Sequence, residues 1–422
     1  MPPRTWIVAL ALVAFGAAGR VGAHGAGEGH GDAAAAGQHG RAADCEGTPL
    51  HCASAATPLL APDGRLLLAW TSQGAVYFAA SKDLGRSFAD PVVLDRRGRR
   101  LDGGSDARPS LAMDSRGRIA VAYAYFKDDV WNAEVMLVRS DDGGRHFSPP
   151  RALAPGDGSQ RFASLLSAPD GRLFATWIDK APAPSADAAA ASAGERSVAV
   201  AYAWSDDGGA SFGAPTRTPG ASCECCRIAL ASDPAGCPTL AYRAVFDGRT
   251  RDTALVRACA MTGGTPTLAQ VARDDWKTDT CPHHGPAVAV DAGGRVHVAW
   301  FTQGERRQGL FYAHDAAAPA GDAAPAFSPP LPVGDASSHA GRPALASSGR
   351  RVWLAWKEFD GRTSAVQVMQ SDDGGDTWSA PRRVATTSGY ADHPLLVAAG
   401  ARIYLSWLTR DDGYVFAEIT GP

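Results

Sequence analysis

"SDDGGRHF" occupies residues 140–147, and close copies stand at 81–88 ("SKDLGRSF"), 205–212 ("SDDGGASF") and 371–378 ("SDDGGDTW"). In each, a Ser and an Asp can bond nearby backbone groups, a Gly allows a positive φ, and an aromatic closes the phrase. Each is therefore a turn. A turn repeated at long intervals sends the reading outward in search of a repeating unit.

A third-strand segment precedes each turn, as in "EVMLVRS" (134–140) and "AVQVMQS" (365–371), and a short fourth segment follows, as in "SPPRAL" (148–153). Further upstream lies a second recurring phrase: "RLLLAW" (65–70), "RIAVAY" (118–123), "RLFATW" (172–177), "CPTLAY" (237–242), "RVHVAW" (295–300), "RVWLAW" (351–356) and "RIYLSW" (402–407). These β-branched, apolar and aromatic runs read as buried strands. Each is led by a short apolar strand closed with an Asp/Gly or Gly turn, such as "PLLAPDG" (58–64) and "PAVAVDAGG" (286–294). Four strands fit in about fifty residues: Pro58 to Pro109 spans 51 residues and Pro343 to Pro394 another 51. That is a propeller blade. The fold class is all-β, a β-propeller of four-stranded blades. Seven inner hairpins favour seven blades, with six as the alternative if the first hairpin is an appendage. The last blade lacks a fourth strand, and residues 46–54 ("EGTPLHCAS") are expected to supply it and close the ring.

The chain has 422 residues and a formal net charge of −3, which gives no reason to expect nucleic acid or an anionic membrane as partner. Residues 1–23 read as a secretory signal peptide: Arg4, then an apolar run from Trp6 to Ala18 too short to span a bilayer, then a small-residue cleavage site at Ala23. Residues 24–44 are a leader rich in His, Gly and Ala, and 45–422 form the propeller. After cleavage His24 would lead the chain, where its amine and imidazole could chelate copper. The low-complexity stretch 181–195 is a loop insertion. A secreted or periplasmic location lets the eight cysteines pair.

Blade geometry sorts those cysteines. Cys237 and Cys259 fall on the same face as the Ser-x-Asp turns, within a blade that lacks such a turn, and are expected to form a disulfide. Cys223, Cys225 and Cys226 in "SCECC" (222–226) enter the fourth blade on the opposite face, and Cys281, His283 and His284 in "CPHHG" (281–285) enter the fifth. Either disulfides join these residues, with Cys45 and Cys52 as further partners, or thiolates and imidazoles hold copper or zinc.

The four Ser-x-Asp-x-Gly-x-x-aromatic phrases resemble the Asp-box, and the chain resembles the sialidase-like Asp-box β-propellers over essentially its whole mature length. The resemblance implies an exported glycoside hydrolase of exo-α-sialidase type, acting on a terminal acidic sugar, with no cofactor and a carbohydrate partner. It implies Tyr390 as nucleophile, Glu224 as the base that takes its proton, Asp128 or Asp129 as acid, and Arg108, Arg243 and Arg342 as the clamp on the sugar carboxylate. His393 and Arg227 compete for the same funnel. The alternative is a non-catalytic propeller whose Cys/His cluster holds copper or zinc. Oligomeric state is not written in the sequence.

Overall fold

Each of the seven recurring apolar phrases forms the second strand of its own antiparallel sheet, giving seven blades, I to VII, around one axis. The computed structural model describes residues 50–180, 198–259, 266–315 and 326–419. The signal peptide, the leader, Cys45 and the 181–195 insertion lie outside the described residues. The second strands run Leu66–Ser72, Ile119–Phe126, Leu173–Lys180, Pro238–Val245, Val296–Gln303, Arg351–Phe359 and Arg402–Thr409. Their closing aromatics are the core: Trp70, Trp177, Trp300 and Trp356 are fully buried. Burial of such side chains against neighbouring blades is worth roughly 1.5–3 kcal/mol each.

The four Ser-x-Asp turns share one hydrogen-bond pattern. In blade I, Ser81 Oγ donates to Asp83 Oδ1 and accepts from Gly85 N, while Asp83 accepts from Ser87 N and Oγ. Blades III and VI repeat this at Asp207 and Asp373. In blade II the turn abuts blade I so closely that a Cβ on Gly144 (φ +93°) would lie 2.3 Å from the Phe78 ring. The glycine is there for contact as much as for its dihedral.

Of the segment expected to close the ring, residues 46–49 lie outside the described residues. Blade VII has three strands among the described residues: Leu395–Ala399, Arg402–Thr409 and Gly413–Glu418. Residues 50–52 form a turn, and Ala53 already begins the first strand of blade I (Ala53–Leu60). The seam between blades I and VII is closed by side chains. Phe88 packs edge-on to Tyr414, and Ala56 N donates to the buried carboxylate of Asp392.

Two blades have a split first strand. In blade II, Leu101–Asp102 pairs with Ala124–Tyr125 and Ser110–Met113 with Ile119–Ala122, so residues 103–109 bulge out between the two pieces. In blade IV, Ala221–Ser222 pairs with Ala244–Val245 and Ala229–Ser232 with Pro238–Ala241, so 223–228 bulge likewise. Blade VI has a register shift between Gly341 and Ala344, with Arg342 in the left-handed region at φ 54°. Such irregularities re-aim side chains. Here they turn Asp106, Arg108, Cys223–Arg227 and Arg342 toward the face opposite the Ser-x-Asp turns.

Candidate metal centre and axial funnel

The blade IV bulge opens with Cys223, whose amide donates to the Arg243 carbonyl at 2.9 Å. Cys223, Cys225 and Cys226 are at most 3% exposed and pack on one another. Their sulfurs lie 3.3 Å (Cys223 to Cys225) and 3.6 Å (Cys226 to Cys223) apart. A disulfide needs about 2.04 Å, whereas thiolates on one tetrahedral ion sit about 3.8 Å apart at a metal–sulfur distance near 2.3 Å. The thiols are free, as is Cys281. Disulfides do not tie this cluster, and Cys52, itself disulfide-bonded, does not join it.

The loop entering blade V brings the other donors. Cys225, Cys281 and His283 have donor atoms within 4.8 Å of one another. The two loops touch at Gly285, where a Cβ would lie 2.6 Å from the Arg227 carbonyl oxygen, so only glycine permits this approach. His284 is not among the donors. Its ring stacks on Phe301 at 4.2 Å.

Charge follows the same geometry. Hydrogen bonds with Cys225 and Cys226 hold the Cys223 thiol well below its ordinary range, and the bond with Cys225 lowers Cys281. The same bond to Cys223 pushes Cys225 up, and Cys226 is raised to about 11, chiefly by its bond to Cys223. Of the four thiols, Cys223 and Cys281 are therefore the more readily deprotonated. A cation faces it: Arg243, 1% exposed, spends its donors on the carbonyls of Arg251, His284 and Phe301 and stacks over Trp276. It makes no ion pair among the described residues. A buried guanidinium without a counter-anion costs several kcal/mol, and Arg243 favours negative charge on Cys226, opposing the net rise there.

The axial funnel is a cavity of about 230 Å³ lined from all seven blades. At its mouth Asp106 accepts from Arg227 Nη1 at 3.1 Å and Arg342 Nη1 at 3.2 Å, with His393 Nδ1 at 3.6 Å. Burial, and then the surrounding arginines, keep His393 well below its usual range, so it is neutral at pH 7. Arg342 also donates to the His283 carbonyl, joining funnel to cluster. Asp106 was not singled out from the sequence. Its one signal is its place in the "DAR" (106–108) of the blade II loop.

The remaining expected site residues are distributed as follows. Arg108 donates to Asp392 Oδ1 at 2.9 Å, the Ala56 carbonyl at 2.9 Å and the Ser105 carbonyl at 3.0 Å. It is a tie across blades I, II and VII, as sealed Arg243 is a tie across IV and V. Glu224 pairs with Lys180 at 2.9 Å. Tyr390 Oη lies 2.9 Å from Ser105 Oγ. Asp128 caps an exposed turn by accepting from Val130 N, Asn132 N and Asn132 Nδ2, the last of which leads in lowering its pKa; Asp129 is exposed beside it. Cys237 and Cys259 form the expected disulfide, Cα atoms 4.6 Å apart.

No protein-family model and no curated protein matches the chain. Similar solved structures include sialidases and other glycan-active enzymes. An ulvan lyase bound to -[GlcA(1-4)Rha3S]- aligns at TM-score 0.53 and 12% identity, covering 85% of this chain and 90% of its own. The polysaccharide lyase Uly1 aligns at TM-score 0.52 and 10% identity, covering 87% and 88%. The intramolecular trans-sialidase from Ruminococcus gnavus aligns at TM-score 0.47 and 11% identity, covering 86% and 94%. Identities this low establish the propeller fold alone.

Proposed function

We propose that this protein is an exported β-propeller that binds a soft metal ion, copper or zinc, through Cys223, Cys225, Cys226, Cys281 and His283. One observation carries the reading: three buried sulfurs lie 3.3 and 3.6 Å apart, unbonded, beside a fourth thiol and an imidazole. Thiolate and imidazole donors suit Cu(I) and Zn(II). The blade IV bulge and the Gly285 approach position both loops. Metal analysis of the mature chain, with a thiol count under denaturing conditions, tests this. Stoichiometric metal supports it; metal-free protein with no reactive thiols among these four overturns it.

The second reading is a sialidase-like hydrolase at the funnel mouth. What favours it is Tyr390, bonded to Ser105 beside Asp106. Against it, Arg108 and both terminal nitrogens of Arg243 donate to protein acceptors, and Glu224 pairs with Lys180. Release of a fluorophore from a sialoside, abolished by Tyr390→Phe, would establish it; no release from the wild type removes it.

A further inference from the structure

The five donors fall into two sets of three: Cys223, Cys225 and Cys226, and Cys225, Cys281 and His283. Within each set all donor atoms lie inside 4.8 Å, and Cys225 alone belongs to both. An ion bonded at 2.0–2.3 Å can join donors no more than about 4.6 Å apart, so one ion serves one set. We propose that the cluster binds two Cu(I) ions, bridged by the Cys225 thiolate, with Cys223 and Cys226 completing one site and Cys281 and His283 the other. The inference rests on the metal-binding reading above.

Three points select monovalent copper. Each set offers three ligands, whereas structural zinc takes four. The first set is at most 3% exposed, which leaves no path for a water to serve as a fourth ligand. Thiolates suit Cu(I) as well as zinc, so ligand number, exclusion of water and charge decide. Charge agrees. Two monovalent ions on four thiolates leave two negative charges, where two divalent ions would leave none. Arg243, buried without an ion-pair partner among the described residues, is tied to both loops of the cluster, its carbonyl accepting from the Cys223 amide and its Nη2 donating to the His284 carbonyl, and its charge favours a negative cluster. Each of the four sulfurs binds as thiolate, giving up its single proton to solvent where it still carries one, and the Cys225 sulfur, once deprotonated, bonds both ions through separate lone pairs. Copper enters and stays as Cu(I), so no electron is transferred.

The two sites differ in access. Cys281 is exposed and His283 half-buried, while Cys223 and Cys226 lie beneath. Copper therefore meets the outer set first, and the shared sulfur offers it a path to the inner one.

The test uses the reduced mature chain under anaerobic conditions, titrated with Cu(I) against a chromophoric Cu(I) chelator. Unfolding curves confirm that each variant is folded. The wild type is expected to take up two Cu(I) per chain, with a Cu···Cu path in X-ray absorption. Cys281→Ser and His283→Ala are expected to retain one, Cys226→Ser also one, and Cys225→Ser neither at high affinity. One Cu(I) in the wild type, unchanged by Cys281→Ser, overturns the bridge and leaves a single buried ion. Two ions that both survive Cys225→Ser overturn it in favour of separate sites. No uptake by folded, reduced wild type removes the metal-binding reading itself.

Discussion

Arg243, on the second strand of blade IV, donates to the carbonyl oxygen of His284, in the loop entering blade V, at 2.9 Å. One guanidinium thus ties the two loops that carry the thiols and sets a positive charge behind them. Arg243→Met keeps much of the volume and removes both effects. The expected result is a Cu(I) dissociation constant raised about tenfold, equal to about 1.4 kcal/mol, with a lowered Tm. Chelator competition and a melting curve check this. Unchanged affinity would mean that the charge plays no part in the cluster.

The Ser-x-Asp turns predict an acid limit. Bonds from the Ser87 side chain and amide hold the Asp83 carboxyl down to about 2. At Asp207 burial opposes the shift, yet bonds from Ser211 outweigh it and also leave it at about 2. A depressed native pKa contributes stability that is complete above the unfolded value of about 3.9 and is lost as pH falls through the native value. Urea midpoints should hold steady from pH 7 to about 4 and fall steeply between about 4 and 2. Asp207→Asn should lower stability at pH 7 and make that fall shallower.

Blade IV has no Ser-x-Asp turn, and the Cys237–Cys259 disulfide occupies the equivalent corner. At a sequence separation of 22, the bridge should contribute about 3 kcal/mol through the unfolded chain. Replacing both cysteines with Ala should cost that much in denaturant unfolding. Metal stoichiometry should not change, because the bridge and the thiol cluster lie on opposite faces.

Gly144→Ala places a methyl group 2.3 Å from the Phe78 ring in a left-handed backbone, whereas Gly64→Ala, at φ +85°, meets nothing within 4 Å. The first should cost about 2–4 kcal/mol and the second only the dihedral penalty of about 1–2 kcal/mol. Equal losses would show that the turn does not press on blade I.

The fold was legible because a blade repeats its own local chemistry. The Ser81–Asp83 and Ser140–Asp142 turns, and the run ending at Trp70, carry their signal within eight residues. Seven blades and the Cys237–Cys259 pair follow from that periodicity. The seam did not, because closure rests on contacts such as Ala56 to Asp392, 336 residues apart. The thiol cluster was visible as composition, but its choice between disulfide and free thiol depends on sulfur separations set by the split strand of blade IV. Arginine roles were the least legible. Arg108 and Arg243 look free in sequence, but their acceptors include backbone carbonyls and a carboxylate brought in from neighbouring blades. Asp106, which holds Arg227 and Arg342, is one more loop aspartate until the ring gathers all three.

The most direct measurement of the central claim is metal content and thiol count on the protein isolated from cells that make it. The account predicts stoichiometric bound metal and, after chelation, free thiols at Cys223, Cys225, Cys226 and Cys281 by mass spectrometry. Metal-free protein in which these four cysteines are linked as disulfides would contradict it.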